Sequence, residues 1–228
     1  MVLSRLDMKT RVGDQAYEAL HAAIVSGAYE AGRRLQIRDL AEELGISVMP
    51  VREAIKRLEE VGLVETEPYR GAVVKRLTRS ELLQIYAVRR LLEVEAARLG
   101  TERIANGDVV ELVQHYQEMV DTLERGDIVN YLDMDEAVLL KIYSASGNNV
   151  LVDTIRSLWD RCRIYKIVGA RDEHESGKQE HLLDYQAKLL AAAREGDGAA
   201  AAQITEDSLD AAIERIHLAM PAEAAEVE

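Results

Sequence analysis

Of 228 residues, only one is cysteine and three are proline. A single cysteine, Cys162, excludes an internal disulfide and suits a reducing compartment, so a cytoplasmic location is expected. Set among Leu158, Trp159 and Tyr165, its thiol is expected in a core rather than as a nucleophile. No apolar run approaches the ~18 residues of a membrane span, so no membrane partner is expected. The first residues, MVLSRLDMKTRVGDQ, lack the apolar stretch of a secretory signal. Few prolines and almost no alternating apolar pattern leave a mostly helical chain. Nucleophile elbows, paired carboxylates and glycine-rich phosphate loops are also missing, which argues against an enzyme and against a bound cofactor.

What is present is charge, unevenly spread. Charged residues are 30% of the chain and the net charge is −13. Residues 1–76 hold 12 Lys+Arg against 12 Asp+Glu, whereas 77–228 hold 16 against 29. The entire deficit therefore lies in the later part. The first third can present a local basic face, while phosphate would be repelled by the remainder. Two domains with different partners are expected.

Residues 13–26 place Tyr17, Leu20 and Ile24 on one helical face, ended by Gly27. A turn through Arg33 and Arg34 leads to a second helix, about 37–44, with Ile37, Leu40, Ala41 and Leu44 at i, i+3, i+4, i+7. Gly45 supplies its left-handed C-terminal residue. Ser47 caps a third helix, and Pro50 falls in the first turn, where a missing N–H costs little. Val51, Ala54, Ile55 and Leu58 make the buried stripe. Two short β-runs around Gly71 follow, the pattern of a hairpin wing. From Thr78 onward only helical patterns occur. A capping box of Thr78 and Glu81 opens a helix to about Leu99; others are expected at about 108–125, 127–145, 149–168, 178–195 and 198–217. The expected fold class is mainly α: a winged helix-turn-helix over 1–76, then an all-α helical bundle over 77–228.

A reading helix buries one stripe and offers donors on the other, its N-terminal half meeting base edges. Arg52 lies in the first turns of the third helix, where its fork would span guanine O6 and N7. Lys56 and Arg57 lie farther along and suit phosphates. Arg70 at the wing tip suits the minor groove, with Gly71 allowing the tight turn. Taken alone, these charges equally describe a solvated basic face or a winged helix that contacts protein.

The wider string is more specific. Tyr17, Leu20, Ile24, Ser26-Gly27, Gly32, Leu35, Leu40-Ala41, Leu44-Gly45, Ser47, Pro50 to Ala54, Leu58 and Gly62-Leu63-Val64 run without a gap. Together they closely resemble the N-terminal domain of the GntR family of bacterial transcription regulators. The resemblance implies that Arg38 and Arg52 contact the operator, with a further contact just after the capping Ser47. There Val48 departs from the arginine or polar residue usual in the family, so operator preference is expected to differ from the common type.

In the later domain Leu82, Ile85, Arg89, Leu92, Ala96 and Leu99 recur every three or four residues, which puts Arg89 inside an apolar stripe. A buried guanidinium needs a partner. Spacing leaves two readings open: a salt bridge to Glu93 at i+4, or a bidentate anchor for an effector carboxylate. The two can coexist, with Glu93 aiming the arginine. Asp135 likewise shares an inward face with Ile128, Leu132, Val138, Leu139 and Ile142, and invites a metal, an arginine or a hydrogen-bonded ligand.

Arg89 with Glu93, Asp135 with Ser146–Asn148, and Glu195–Asp197 resemble FCD, the α-helical effector domain of the FadR-like branch of that family. The resemblance favours the ligand reading of Arg89. It also implies, for many members, a divalent metal held by one aspartate and three histidines. In that alignment Asp135 is kept, but Leu139, Gln186 and Ser208 stand where the imidazoles would be. His181, five residues before Gln186, points about 140° away on a helix. His115, His174 and His217 lack ligand spacing and are expected at the surface. No metal is therefore expected, and Arg89, Asp135, Gln186 and Ser208 are the expected effector-binding residues.

The resulting expectation is a homodimeric transcription regulator, a repressor rather than an activator, on a palindromic operator of double-stranded DNA. Two-fold symmetry follows because one short reading helix touches few bases. Its small-molecule effector is expected to bear a carboxylate. The alternatives are an effector-independent dimeric DNA-binding protein and an acyl-CoA-type sensor.

Overall fold

The stripe of Val51, Ala54, Ile55 and Leu58 finds its partner in Ala16, Leu20 and Ile24, all buried. That packing joins α1 (Val12–Val25) to α3 (Val48–Glu60), with α2 (Ile37–Glu43) completing the trio. The computed structural model describes residues 12–178 and 180–220. The reading of the first residues as free of a secretory signal falls largely on 1–11, outside the described residues. The chain divides into two compact units at Arg76 and Leu77.

In the first unit β1 (Val64–Glu67) and β2 (Gly71–Val74) form an antiparallel hairpin in the register Val64 to Val74. Arg34 adds an isolated bridge to Val73. Gly45 ends α2 at φ 65°, and Gly71 opens β2 at φ 74°, the left-handed region that glycine enters without a Cβ penalty. This is a winged helix-turn-helix, as expected. Ser47 stands at the N-cap of α3 in extended conformation, without a side-chain cap hydrogen bond.

The second unit is wholly helical among the described residues: α4 (Arg79–Arg103), α5 (Asn106–Glu124), α6 (Ile128–Ser144), α7 (Asn149–Glu175), α8 (Glu180–Glu195) and α9 (Gly198–Ala219). Thr78 closes the expected capping box: its hydroxyl accepts from the Glu81 N–H at 3.1 Å, and the Glu81 carboxylate accepts from the Thr78 N–H at 2.9 Å. Asp127, Asn148 and Asp197 cap α6, α7 and α9, each accepting from the backbone N–H three residues on, without the reciprocal bond. Ala96, Ala97, Val138, Ile142, Ile155 and Trp159 form the middle of the core. Among the described residues no helix is long and apolar enough to cross a membrane.

Two helices outrun their expected ends, and each does so through a glycine. α7 continues past 168, with Ala170 buried in one cluster with Met119, Leu123 and Ile167, while Gly169 faces open space. α4 continues past Leu99 because Gly100 lets α6 approach. A Cβ on Gly100 would overlap the carbonyl oxygen of Ile142. Gly198 does the same for α9, where a Cβ would stand 2.7 Å from the Arg98 carbonyl oxygen.

Gly100→Ala separates propensity from packing. In a free helix it would stabilise by about 1 kcal/mol, but here the α4–α6 approach must open. A net loss of roughly 1–3 kcal/mol is expected in chemical denaturation; a stabilised variant would refute the close approach.

Candidate functional site

On α3 the residues opposite the buried stripe are Met49, Arg52, Glu53 and Lys56, spaced i, i+3, i+4, i+7. Arg52 is exposed and has no hydrogen-bond or ion-pair partner among the described residues, and neither has Arg38 at the start of α2. Lys56 reaches Glu60 only at 3.8 Å, an exposed pair of little strength. Arg57 is engaged elsewhere. It donates to Asp14 of α1 at 2.8 Å, and its guanidinium lies over the Tyr17 ring at 4.1 Å. Arg57 thus ties α3 to α1, a commitment its place on the basic helix did not disclose. At the wing tip Arg70 pairs with Glu67 at 2.7 Å and reaches the Gly32 carbonyl at 3.4 Å. Tyr69 beside it is fully exposed at φ 64°.

The second unit holds a buried polar cluster. Arg89, 4% exposed, donates through Nε to Glu93 at 2.6 Å and through Nη2 to its other oxygen at 3.5 Å. Glu93 also accepts from the Trp159 indole at 2.9 Å and the Tyr143 hydroxyl at 3.3 Å. The remaining arm of Arg89, Nη1, points at the Cys162 sulfur at 3.6 Å, and the Tyr86 ring lies 4.4 Å from the guanidinium carbon. Burial opposes the charge of Arg89, but the Glu93 carboxylate, by charge and by hydrogen bond, outweighs it and holds the group protonated. Burial pushes the Cys162 thiol up, so it stays neutral, as a core thiol does.

Asp135 accepts from Gln186 Nε2, joining α6 to α8. Its other oxygen lies 3.3 Å from Lys166 Nζ on α7, which also reaches Glu136 at 3.2 Å. Arg163 adds a 2.7 Å pair with Glu136 and a contact with Asp133. For Lys166 burial is the largest influence and lowers its affinity for the proton, yet Glu136 and Asp135 together raise it well above the ordinary lysine value. Burial would raise Glu136, but Lys166 and Arg163 hold it below its ordinary value.

Of the residues expected to bind effector, Asp135 and Gln186 meet directly. Arg89 lies in the same charged neighbourhood, since it and Asp135 both act on Lys166. Ser208 on α9 is half-buried and makes no hydrogen bond among the described residues. Lys166, Glu136 and Arg163 escaped the sequence reading. For Arg163 and Lys166 the signal was their spacing with Trp159 and Cys162, one face of α7 at i, i+3, i+4, i+7.

The donor set does not fit a metal ion. Among the described residues no three His, Cys, Asp or Glu side chains converge. Leu139 packs on the apolar core and His181 is exposed. Asp135 already faces an ammonium. Two expectations need correction: His115 and His174 are half-buried rather than on the surface, the latter ring lying against Gly126.

Lys166→Met should leave Asp135 and Glu136 buried without their ammonium, at a cost of about 3 kcal/mol at neutral pH. Because Glu136 is held below its ordinary value, its contribution is present above the unfolded carboxyl pKa and is lost as pH falls through the lower folded one. The gap between variant and parent in urea denaturation should therefore narrow on going from pH 7 to pH 4. A gap independent of pH would refute the pairing.

Residues 12–74 match the family model described as bacterial regulatory proteins, gntR family, and residues 84–211 match that of the FCD domain. The chain is 30% identical over 188 residues to the HTH-type transcriptional regulator McbR of Escherichia coli K12, covering 80% of this chain and 84% of that one. It is 31% identical over 173 residues to the Glc operon transcriptional activator of the same strain, covering 68% of each. The solved structure of E. coli McbR/YncC superposes with a TM-score of 0.79 at 26% identity, over 92% of this chain and 99% of that one. A Rhodococcus protein described as a putative GntR transcriptional regulator has the same fold, with a TM-score of 0.79 at 24% identity over 92% and 99%.

Proposed function

Because this chain belongs to the GntR family of DNA-binding transcription regulators, with an FCD domain following its winged helix, we propose that it is a ligand-controlled regulator using the residues described above. The observation that carries the DNA half is the free Arg52 on the outward stripe of α3, with Arg38 equally uncommitted. Arg52 reads a guanine edge, Lys56 and Arg38 hold phosphates, and Ser47 offers its N–H or hydroxyl to the backbone. Arg70 and Gly71 carry the wing to the minor groove, while Arg57 sets the angle of α3. Two copies bind a palindromic site, because one short helix touches too few bases for useful discrimination. The sign is repression, since occupancy alone blocks a promoter; a relative named as an activator makes a reporter assay the arbiter. The protein works where the chromosome is, in the cytoplasm.

The cluster around Arg89, Asp135, Lys166 and Gln186 is the ligand-sensing half, with Ser208 completing the wall from α9. A thiol sulfur is a weak acceptor, so the Nη1 group of Arg89 is the donor a ligand carboxylate would take over, with Glu93 still aiming the rest. Tyr165, next to Lys166 on α7, supports a route outward. Its hydroxyl accepts from the Leu77 N–H at 2.7 Å and donates to the Leu77 carbonyl at 3.0 Å. A ligand that shifts α7 thereby pulls on the first residue after Arg76. No catalytic activity is proposed.

Arg52→Ala should cost about 1–3 kcal/mol on an operator selected from random duplexes and relax preference at one symmetric position. Lys56→Ala should instead weaken all duplexes alike and flatten the salt dependence. Equal binding by Arg52→Ala and the parent at matched salt would sink the assignment.

For the sensing half, a thermal-shift screen of mono- and dicarboxylates and acyl-CoA thioesters identifies the ligand class. Gln186→Leu leaves Lys166 on Asp135, so it should keep the fold and operator affinity but need at least tenfold more ligand for release. Unchanged release would exclude Gln186 from the site.

A further inference from the structure

The first turn of α3 is apolar where a reading helix would ordinarily be polar. Met49 is 62% exposed and Val48 38% exposed, while their neighbours in the helix core are buried. Met49 opens the outward stripe that continues through Arg52 to Lys56. Glu53, the acid in that stripe, has its carboxylate within 3.3 Å of where a Cβ on Gly13 would stand, at the N-terminal turn of α1. Negative charge is favoured at that end of a helix, and the carboxylate is thereby turned aside from the stripe. The outward surface of α3 thus offers an apolar patch followed by two cations.

We propose that Met49, with Val48 beside it, reads a thymine C5-methyl group in each operator half-site, on the base step next to the one contacted by Arg52. This rests on α3 being the reading helix. Among the groups at the major-groove base edges, the thymine methyl is the apolar one; the others are donors and acceptors. An apolar side chain pressed against any other edge would strip water from a polar atom without replacing the hydrogen bond. Against thymine it buries methyl on methyl. The spacing fits: three residues of helix advance roughly 4.5 Å, close to the ~3.4 Å between successive bases on one strand. A flexible thioether can follow the methyl, and the stiff β-branched Val48 limits how far α3 sinks.

The test uses the full-length protein and an operator selected from random duplexes. Each thymine of the half-site is replaced singly by deoxyuridine, which removes the methyl group and nothing else. Parent and the Val48→Ala, Met49→Ala double variant are compared at fixed salt. One symmetric position should weaken the parent about fourfold per half-site, the worth of one buried methyl. The double variant should bind thymine and uracil duplexes equally at that position. Both residues are exposed, so the variant should fold as the parent does. A parent indifferent to every replacement, or a variant with the parental thymine-to-uracil ratio, would overturn the proposal. Failure to enrich any duplex would instead overturn the DNA-reading role of α3 on which it rests.

Discussion

The second unit is organised around one buried ion pair, Arg89 with Glu93. A pair so placed pays heavily for leaving water and survives only when its remaining donors and acceptors are met. Here they are met from other helices. Trp159 and Cys162 come from α7 and Tyr143 from α6, so a contact within one turn of α4 fixes the register of three helices. Ala96, Ala97, Ile142 and Ile155 pack beneath it. Gly100, two turns on, is the corresponding steric condition, since without it α6 could not lie close enough for Tyr143 to reach Glu93. Deleting either charge would strand the other in a buried site. That makes Arg89 a poor position for a clean loss-of-sensing variant and Gln186, at the margin of the cluster, a better one.

In the first unit electrostatics works by disposal. Its charges balance overall, yet Arg52 and Arg38 stay uncommitted among the described residues because acids near them are occupied elsewhere. Asp14 is held by Arg57, and Glu53 lies at the α1 N-terminus. Arg52 and Arg38 are left without an intramolecular competitor among the described residues. A guanidinium already bonded to a carboxylate would have to give that bond up before binding a phosphate or a base, so neutrality of the unit and basicity of its face are compatible.

The helices and the wing were legible because their signals are local: a 3.6-residue apolar repeat, a capping box at Thr78, a glycine at each sharp stop. The ends of α4 and α7 were not. The expected ends fell just before Gly100 and Gly169, and the helices continue past them beside Ile142 and within the cluster of Ala170, Met119 and Leu123, contacts that local pattern does not contain. The cluster was legible by halves. Arg89 and Asp135 stood out as charges inside apolar stripes, and the Arg89–Glu93 pairing was one of two readings that spacing allowed. Lys166 was hidden because a lysine on a long amphipathic helix ordinarily points to water, and only the convergence of Asp135 and Glu136 from α6 turns it inward. Arg57 failed in the opposite direction: its place on the basic helix suggested phosphate, whereas Asp14 and Tyr17 lie within its reach.

Lys166 also bears on what kind of ligand the proposed site could take. Arg89, Arg163 and Lys166 face Glu93, Asp133, Asp135 and Glu136, so the cations are already matched and no unspent positive charge waits for an anion. An entering carboxylate has to be received by exchange of hydrogen bonds rather than by neutralisation. In the proposed site the exchangeable bond is the weak one from Arg89 to the Cys162 sulfur, because the others run to carboxylate or carbonyl oxygens and would be lost at greater cost. A ligand oxygen taking that position replaces a poor acceptor with a good one and leaves Glu93 in place. Its binding energy would then come mainly from geometry and from apolar contact. If the proposed site binds a carboxylate in this way, it would discriminate by shape and by one well-placed oxygen and would depend only weakly on salt.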